Sequence, residues 1–235
     1  MLLILGFLEI IMKKKWSIGL MTGTANDGNI DIAALQTDGD KIINFGPFEL
    51  LSYEDKEIKD LIFLTYQEAR KWNFLGAEPK IFSIIEKKIT QEQSKAVQEF
   101  IHKNKLNKDD ISCIGFHGLT VLHQPVSSTN ASRQTRQLGD GQMMADYLQL
   151  PVVNDFRTND IIHGGQGAPL APIYHLALAK NINEKDIVFL NIGGVSNITY
   201  VGDKDELIAL DCGPGNAPID DFVRYHNKGL MDTDG

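Results

Sequence analysis

The sequence predicts an α/β fold with mixed sheets. Short apolar runs, typical of strands, alternate with longer segments in which apolar residues recur every three or four positions, typical of helices. The order is strands, helices, strand, helix, strand, helix and strands again, which indicates both parallel and antiparallel pairs. Several apolar runs end in glycine-rich loops that also hold Asp or Asn. Because backbone N–H groups in such loops can approach anions closely, the loops indicate an enzyme that handles phosphate.

Composition narrows the class of protein. The 235 residues are 43% hydrophobic and 23% charged, as in ordinary soluble globular proteins. The net charge of −8 argues against a nucleic-acid partner. Cys113 and Cys212 are expected to be free thiols in a reducing cytosol. We therefore expect a cytoplasmic protein.

The first residues are strongly apolar but form a short run. A membrane span needs about 20 such residues, and a secretory signal carries its basic residues before the apolar run, whereas here they follow it. We interpret residues 1–12 as an N-terminal extension, with residues 1–11 arising from a mis-assigned start codon ahead of Met12. A short membrane anchor is the alternative, and no other membrane contact is expected.

The first part of the chain predicts three antiparallel strands followed by two helices. The strands are expected at residues 16–21, 30–35 and 41–48, with a glycine loop as the first turn. Apolar residues spaced by three and four predict helices over 54–72 and 79–105.

The remainder of the chain alternates between strands and helices. Residues 111–116 are continuously apolar, which predicts a strand buried in a parallel sheet. Further elements are expected as helices at 142–148, 170–180 and 217–227 and as strands at 151–153, 187–192, 197–201 and 207–210. A strand–glycine–strand pattern around Gly193 and Gly194 predicts a hairpin.

A phosphate-binding turn in the opening strands and a second glycine hairpin later suggest two related lobes around a cleft. This is the plan of the actin, hexokinase and Hsp70 group of nucleotide-binding folds. We expect residues 13–185 to form the first lobe and 186–235 to begin the second. A G-x-G-x-x-G between strand and helix and a G-x-x-x-x-G-K-[ST] motif are both missing from the sequence, which disfavours Rossmann and P-loop interpretations.

Six motifs together carry a family resemblance. They are GLMTGTANDGNIDIAAL (19–35), GFHGLTVLHQP (115–125), QLGDG (137–141), PVVNDFRTNDIIHGGQGAPLAPIYH (151–175), NIGGVSNITYV (191–201) and DCGPGNAPIDD (211–221). In this order they resemble the anhydro-N-acetylmuramic acid kinase family of bacterial peptidoglycan recycling. The resemblance implies an actin-like fold and a cytoplasmic, ATP- and Mg²⁺-dependent transferase of amino sugar metabolism. It implies hydrolysis of the 1,6-anhydro ring of 1,6-anhydro-N-acetylmuramic acid with phosphorylation of O6, giving N-acetylmuramic acid 6-phosphate.

The resemblance also implies roles for individual residues. Asp155 matches the general base, and at the end of a buried strand we expect it to be rigid and partly desolvated. An N-cap or an ion pair with Arg157 is the structural alternative. The residues implied in substrate binding are His117, Arg157, Gln166 and Gly167, although His117 alone could be structural. The residues implied in binding the ATP phosphates are Gly23, Thr24, Ala25, Asn26, Asp27, Gly28, Gly193, Gly194, Asn197, Gly213 and Gly215. Asp27 would hold Mg²⁺ directly or through water.

Two features depart from the family pattern. Ala25 and Asn26 replace a small hydroxyl residue and Leu before the Asp-Gly pair, and Asn29 is an additional residue. Family members also continue for more than a hundred residues, so we expect the second lobe to be incomplete. Three interpretations stay open: an active kinase, a catalytically inactive truncated remnant, and an amino-sugar binding module without kinase activity. A homodimer is compatible with each.

Overall fold

The computed structural model describes residues 15–22, 29–55, 57–124, 134–182, 186–226, 228–229 and 232. Contacts divide the chain into two compact units, Met1–Ala168 and Pro169–Gly235. The sequence analysis placed the division between lobes after residue 185. That division stays a prediction; by its contacts, the helix that precedes residue 185 groups with the second unit.

The elements follow one another in this order. The strands are β1 (Lys15–Thr22), β2 (Asn29–Thr37), β3 (Ile42–Ser52), β4 (Ile111–Phe116), β5 (Leu119–Gln124), β6 (Gln134–Leu138), β7 (Val152–Asn154), β8 (Ile187–Ile192), β9 (Val195–Val201) and β10 (Leu207–Pro214). The helices are α1 (Glu57–Trp72), α2 (Lys80–Lys103), α3 (Gly141–Leu148), α4 (Thr158–Ile162), α5 (Ala171–Ile182) and α6 (Ala217–Tyr225). Among the described residues, no helix combines the length and apolar character that crossing a membrane requires.

The first unit is built on a five-stranded mixed sheet in the order β3-β2-β1-β4-β7. β1 pairs antiparallel with β2, and β2 pairs antiparallel with β3, which confirms the three predicted antiparallel strands. β4 pairs parallel with β1, and β7 pairs parallel with β4. The α/β class and the mixed sheet are therefore confirmed.

One face of this sheet packs on α1 and α2. The apolar stripes of both helices enter a continuous core, where Ile85 and Val97 are fully buried. The three-and-four spacing alone does not separate Ile84, which is 52% exposed, from Phe82, which is 1% exposed. Since a helix turns by about 100° per residue, Phe82, Ile85 and Ile89 share one face and Ile84 lies to its side.

The sequence analysis missed the hairpin of β5 and β6 and the short helix α4. β5 and β6 pair antiparallel as a separate two-stranded sheet. β6 reads Gln-Thr-Arg-Gln-Leu and only Leu138 is buried, so it has no apolar alternation. α4 has five residues, which is too short to show a helical period.

The second unit contains a three-stranded antiparallel sheet in the order β10-β9-β8, together with α5 and α6. The predicted hairpin of β8 and β9 is confirmed, with Asn191 opposite Asn197. The His175 ring on α5 stacks on Phe189 of β8, with ring centroids 4.6 Å apart and planes 8° from parallel. The cysteines, Cys113 in the first unit and Cys212 in the second, are both free thiols.

Candidate active site

The candidate site lies at the carboxyl ends of β4 and β7. These strands are parallel neighbours, with Phe116 opposite Asn154. The residues that follow them therefore meet at one edge of the sheet: His117 and Gly118 after β4, and Asp155 after β7. A cavity of about 160 Å³ opens at this edge. It is lined by Phe116, His117, Gly118, Thr135, Arg136, Gln137, Gly139, Asn154, Asp155 and Thr158.

Asp155 occupies the turn between β7 and α4 in the left-handed backbone region, with φ of 52°. Its Oδ1 accepts a hydrogen bond of 2.6 Å from the Thr158 hydroxyl and a longer one of 3.4 Å from the Thr158 backbone N–H. Its Oδ2 accepts no hydrogen bond from the described residues. A non-glycine residue in this conformation costs free energy and is enriched at functional sites. Thr158 therefore orients Asp155 and leaves one oxygen available to a ligand.

Two expectations about Asp155 need correction. The side chain is exposed rather than partly desolvated, because β7 is a three-residue edge strand whose Val153 and Asn154 are exposed as well. The ion pair with Arg157 does not form in the part of the chain that the structure describes, since the guanidinium contacts other groups. The N-cap alternative is partly correct. The Asp155 carboxylate accepts a hydrogen bond from a backbone N–H in the first turn of α4, but Arg157 occupies the N-cap position.

His117 lies between Gly118 and Arg157. Its Nε2 is 2.9 Å from Arg157 Nη2, and its Nδ1 is 2.9 Å from the Gly118 carbonyl oxygen. A guanidinium can only donate, so Nε2 accepts and the proton resides on Nδ1, which donates to the carbonyl. Burial lowers the pKa of His117 below 6.5, the bond to Gly118 opposes this, and Arg157 lowers the pKa further. The imidazole is thus neutral at neutral pH.

Arg157 is a half-buried cation whose hydrogen bonds within the described residues are all to neutral groups. Its Nη1 donates to the Gly167 carbonyl oxygen at 2.5 Å, and its Nε is buried without a partner among the described residues. No carboxylate of the described residues forms an ion pair with it. Burial lowers the pKa of Arg157. A buried charge without a counter-ion is unfavourable, so an anionic ligand group beside Arg157 would be stabilising.

The loop at residues 163–169 is organised by Asp160, which the sequence analysis missed. Asp160 Oδ2 accepts from the Gly167 N–H at 2.7 Å, and the Asp160 carbonyl accepts from the Gly165 N–H at 2.8 Å. A Cβ on Gly165 would meet the Asp160 carboxylate, so a larger residue there would displace that carboxylate from the Gly167 N–H. Gly167 is buried, whereas Gln166 is exposed. The sequence did contain one signal for this role. Asp160 is an acidic residue five positions before Gly165, the first of the two loop glycines whose N–H groups it binds.

The hairpin contributes residues that sequence reasoning did not assign. Arg136 on β6 lines the cavity and pairs with Glu78 through two hydrogen bonds of 2.8 and 3.1 Å. Its Nη1 also lies 3.5 Å from Glu86, which accepts from the Gly139 N–H at 3.0 Å. The motif at 137–141 was recognised, but no role was given to its residues or to Thr135. The signal available in the sequence was the run of polar residues in β6, directly beside that motif.

A second cavity of about 450 Å³ shares Gly139 and Asn154 with the first. It lies at the start of α3, where Asp140 Oδ1 accepts from the Met143 N–H at 2.9 Å and caps the helix. A Cβ on Gly141 would lie 2.5 Å from the Asn154 side chain. Glycine at this position thus lets Asn154 lie against α3.

The second unit brings together the glycines that were predicted to bind phosphate there. The Gly194 carbonyl accepts from the Gly215 N–H at 3.0 Å, and the Gly193 carbonyl accepts from the Asn216 N–H at 2.6 Å. A Cβ on Gly215 would lie 2.1 Å from the Gly193 carbonyl oxygen. The two loops form one double turn, with Gly213 at φ of 144°.

Asn197 lies next to this double turn, in a polar cross-strand row between Asn191 and Asp211. Asn216 occupies the N-cap position of α6 without a side-chain cap, and its Nδ2 donates to the Ile192 carbonyl at 3.1 Å.

The first predicted phosphate loop lies outside the described residues. This applies to Gly23, Thr24, Ala25, Asn26, Asp27 and Gly28. Within the described ranges, no group of three or more His, Cys, Asp or Glu side chains could hold a metal ion.

Comparison with known proteins decides the family. The family model for anhydro-N-acetylmuramic acid kinase matches residues 15–235. The chain belongs to the anhydro-N-acetylmuramic acid kinase family. Its members include a Brucella anthropi protein of that name, 48% identical over 225 residues, and a Rhizobium rhizogenes protein, 47% identical over 225 residues. In both comparisons the alignment covers 95% of this chain and 60% of the relative, so the chain spans about three fifths of their length.

Solved structures align more distantly. A reductive activator for a corrinoid, iron–sulfur protein aligns with a TM-score of 0.45 and 10% identity, over 86% of this chain and 31% of that one. An Aquifex aeolicus PPX-GPPA enzyme aligns with a TM-score of 0.37 and 8% identity, over 88% and 55%. At these scores, the alignments support no statement about function.

Proposed function

We propose that the protein acts in the phosphorylation of 1,6-anhydro-N-acetylmuramic acid at O6, with hydrolytic opening of the anhydro ring. Water attacks the anomeric carbon as the bond from that carbon to O6 breaks. O6 then takes the γ-phosphoryl group of ATP, releasing ADP and giving N-acetylmuramic acid 6-phosphate. The observation that supports this proposal within the family is the joint position of Asp155 and His117 on one cavity, with Arg157 bonded to His117.

Asp155 is the proposed general base. A carboxylate at the cavity can take the proton of the attacking water, and the Thr158 hydroxyl holds one carboxylate oxygen at 2.6 Å. Thr158 is thus a positioning residue. Since Asp155 is exposed in this structure, its reactivity depends on how it is oriented and on what the bound sugar excludes from the cavity.

His117 and Arg157 are the proposed sugar-binding pair. A muramic acid derivative carries a lactyl carboxylate, and Arg157 is a half-buried cation without a carboxylate partner among the described residues. The neutral His117 keeps the guanidinium in place without adding charge. Gln166 and the Gly167 loop would address the acetamido group, because Gln166 is exposed and Gly167 is fixed by Asp160.

The ATP phosphates are proposed to contact glycine loops in both units. In the second unit these are the double turn of Gly193, Gly194, Gly213 and Gly215, with Asn197 beside it. In the first unit they are residues 23–28, where Asp27 would hold Mg²⁺. The ion would neutralise charge on the transferring phosphoryl group. An actin-like, two-lobed fold belongs to the same proposal.

An amino-sugar binding module is the second candidate function. Every residue proposed to contact the sugar lies in the first unit, which has its own continuous core. Sugar binding could therefore persist without the remainder of a kinase. An inactive remnant would lack both activities.

The deciding experiment mixes the purified chain with 1,6-anhydro-N-acetylmuramic acid, ATP and Mg²⁺ and detects the phosphorylated sugar by mass spectrometry. Calorimetric titration of the sugar without ATP runs in parallel. ATP-dependent product supports the kinase. Saturable sugar binding that Arg157→Ala abolishes, without product, supports the binding module. If neither product nor sugar binding is detected, the inactive remnant is the interpretation that remains.

Asp155→Asn provides the sharpest mutational test of the reaction. If the chain turns over, we expect this variant to lose about 10²-fold or more in turnover, because an amide cannot accept the proton. Thr158→Ala should lose less, since it frees the carboxylate without removing it. Sugar affinity measured by calorimetry should be similar in both variants. Near-normal turnover of Asp155→Asn would remove Asp155 from the role of base.

A further inference from the structure

The β5–β6 hairpin has a polar face to which the proposed function gives no role. In the register of the two strands, Thr120 lies opposite Gln137 and His123 lies opposite Thr135. A β-bulge at Val121 shifts this register, so Thr120 and His123 share a face although strict alternation would place them on opposite ones. Bulges redirect side chains in this way and are frequent next to active sites. We call the side chains of Thr120, His123, Thr135 and Gln137 the hairpin polar face.

Hydrogen bonds join the hairpin polar face into one network. Gln137 Nε2 donates to Thr135 Oγ1 at 2.7 Å and to Thr120 Oγ1 at 3.3 Å. The Thr135 hydroxyl also lies 2.9 Å from His123 Nδ1. The amide nitrogen of Gln137 is thus held against two threonine hydroxyls. Because the oxygen occupies the other corner of the planar amide, it is directed away from them.

The oxygen of this amide is an acceptor without a donor. Gln137 Oε1 is buried, and no described residue donates a hydrogen bond to it. Gln137 and Thr135 both line the cavity that holds Asp155. A buried polar atom without a partner is unfavourable, and native proteins contain few of them. Arg157 Nε, described above, is a buried donor in the same state. A ligand at this cavity would therefore meet an acceptor as well as a donor.

We propose that Gln137 is a specificity-determining residue whose Oε1 accepts a hydrogen bond from the O4 hydroxyl of the bound sugar. This inference rests on the proposed function. At neutral pH, 1,6-anhydro-N-acetylmuramic acid has two donors, the acetamido N–H and the O4 hydroxyl, because O3 carries the lactyl ether and the anhydro bridge joins C1 to C6. The proposed function assigns the acetamido group to Gln166 and Gly167, which leaves the O4 hydroxyl for Gln137.

The network explains why this contact would select between sugars. An analogue without the O4 hydroxyl would cover Gln137 Oε1 and supply no donor, and a site rejects a ligand that leaves its buried polar groups unpaired. The amide cannot turn away without losing its bonds to Thr120 and Thr135. His123 and the two threonines are thus positioning residues for Gln137. The inference also gives a role to the first residue of the motif at 137–141.

The test titrates two sugars into two proteins by calorimetry without ATP. The sugars are 1,6-anhydro-N-acetylmuramic acid and its 4-deoxy analogue. The proteins are the wild-type chain and Gln137→Met, which replaces the amide by an apolar side chain of similar length. We expect the wild-type chain to prefer the parent sugar at least about tenfold, because the analogue leaves Oε1 without a donor. Gln137→Met should lose about tenfold in affinity for the parent sugar and bind both sugars equally.

A matched control separates the contact from a general effect of the substitution. Gln91→Met makes the same change at an exposed position of α2 that does not line the cavity, so it should keep the wild-type preference. Fluorescence of Trp16 and Trp72, both in the first unit, verifies that each variant is folded. The readout is binding, so it is independent of any kinase activity.

Three results would overturn the inference. Equal binding of the two sugars by the wild-type chain would show that the O4 hydroxyl is not recognised. A preference for the parent sugar that persists in Gln137→Met would place the acceptor of the O4 hydroxyl on another residue. These two results leave the proposed function standing. Failure of the wild-type chain to bind either sugar would overturn the proposed sugar site together with this inference.

Discussion

The two units differ in what covers their sheets. In Met1–Ala168, α1, α2 and the five-stranded sheet enclose a continuous core. In Pro169–Gly235, the buried apolar side chains among the described residues are Pro172, Ala179 and Val201. The apolar residues on one face of the second sheet, such as Val188 at 55% and Leu190 at 59%, are exposed. Alternating apolar residues predict strands in both units. Their side chains form a core only where a second layer of secondary structure packs on the sheet.

The largest expected contrast is in local stability. Amides of β1 and β4 should exchange only through global unfolding, at roughly 5 kcal/mol or more, whereas amides of β8, β9 and β10 should open with a free energy near zero. Native-state hydrogen exchange followed by mass spectrometry measures both in one experiment. Strong protection across residues 187–210 would contradict the contrast and favour an intact second unit. A calorimetric titration finding micromolar ATP affinity would support the same conclusion.

A pair of matched phenylalanines tests the contrast by mutation. Phe100 is 1% exposed in the first unit, and Phe222 is 64% exposed in the second. Phe100→Ala should cost about 3–5 kcal/mol of unfolding free energy, because it leaves a cavity in a packed core. Phe222→Ala should change it by less than about 0.5 kcal/mol. Urea unfolding followed by tryptophan fluorescence and circular dichroism measures both. Comparable losses would show that the second unit has a core of its own.

Helix capping provides a smaller contrast. Asp140 caps α3 by accepting from the Met143 N–H, so Asp140→Ala should cost about 1 kcal/mol. Asn216 holds the corresponding position of α6 without a side-chain cap. Asn216→Ala should therefore cost only about a few tenths of the unfolding free energy that Asp140→Ala costs. Thermal unfolding of the two variants makes the comparison. A larger loss for Asn216→Ala would mean that its bond to the Ile192 carbonyl stabilises the second unit.

The smallest expected effect is the pH dependence that His117 adds to the stability of the first unit. Burial lowers the pKa of His117 below 6.5, so the unfolded chain binds its proton more tightly. The contribution of neutral His117 to the unfolding free energy is therefore fully present above pH 6.5. It decreases as the pH falls below 6.5 toward the lowered pKa of the folded state. His117→Gln should flatten this slope in urea unfolding followed by tryptophan fluorescence.

His175 in the second unit supplies the control for this slope. Burial also lowers the pKa of His175, but both tryptophans lie in the first unit. His175→Gln should therefore leave the fluorescence-detected slope unchanged. An equal change in both variants would show that the two units unfold together.

Much of the fold could be predicted because its elements are long and periodic. The three antiparallel strands, both long helices and the β8–β9 hairpin are confirmed. The β5–β6 hairpin was missed because β6 is polar and has no apolar alternation. For the candidate site, the motif identified Asp155 and His117, and the structure places them on one cavity. Their roles stay predictions.

The sequence by itself determined the element types, the family and the residue types of the site, because periodicity and motifs are local properties of a chain. Tertiary structure alone decided what each of those residues contacts. Arg157 pairs with His117 and the Gly167 carbonyl rather than with Asp155, and Arg136 reaches Glu78 and Glu86 from a strand without an apolar pattern. The exposure of Asp155 was likewise undetermined, because burial depends on which surfaces meet, and the sequence pattern states only that a residue can be buried.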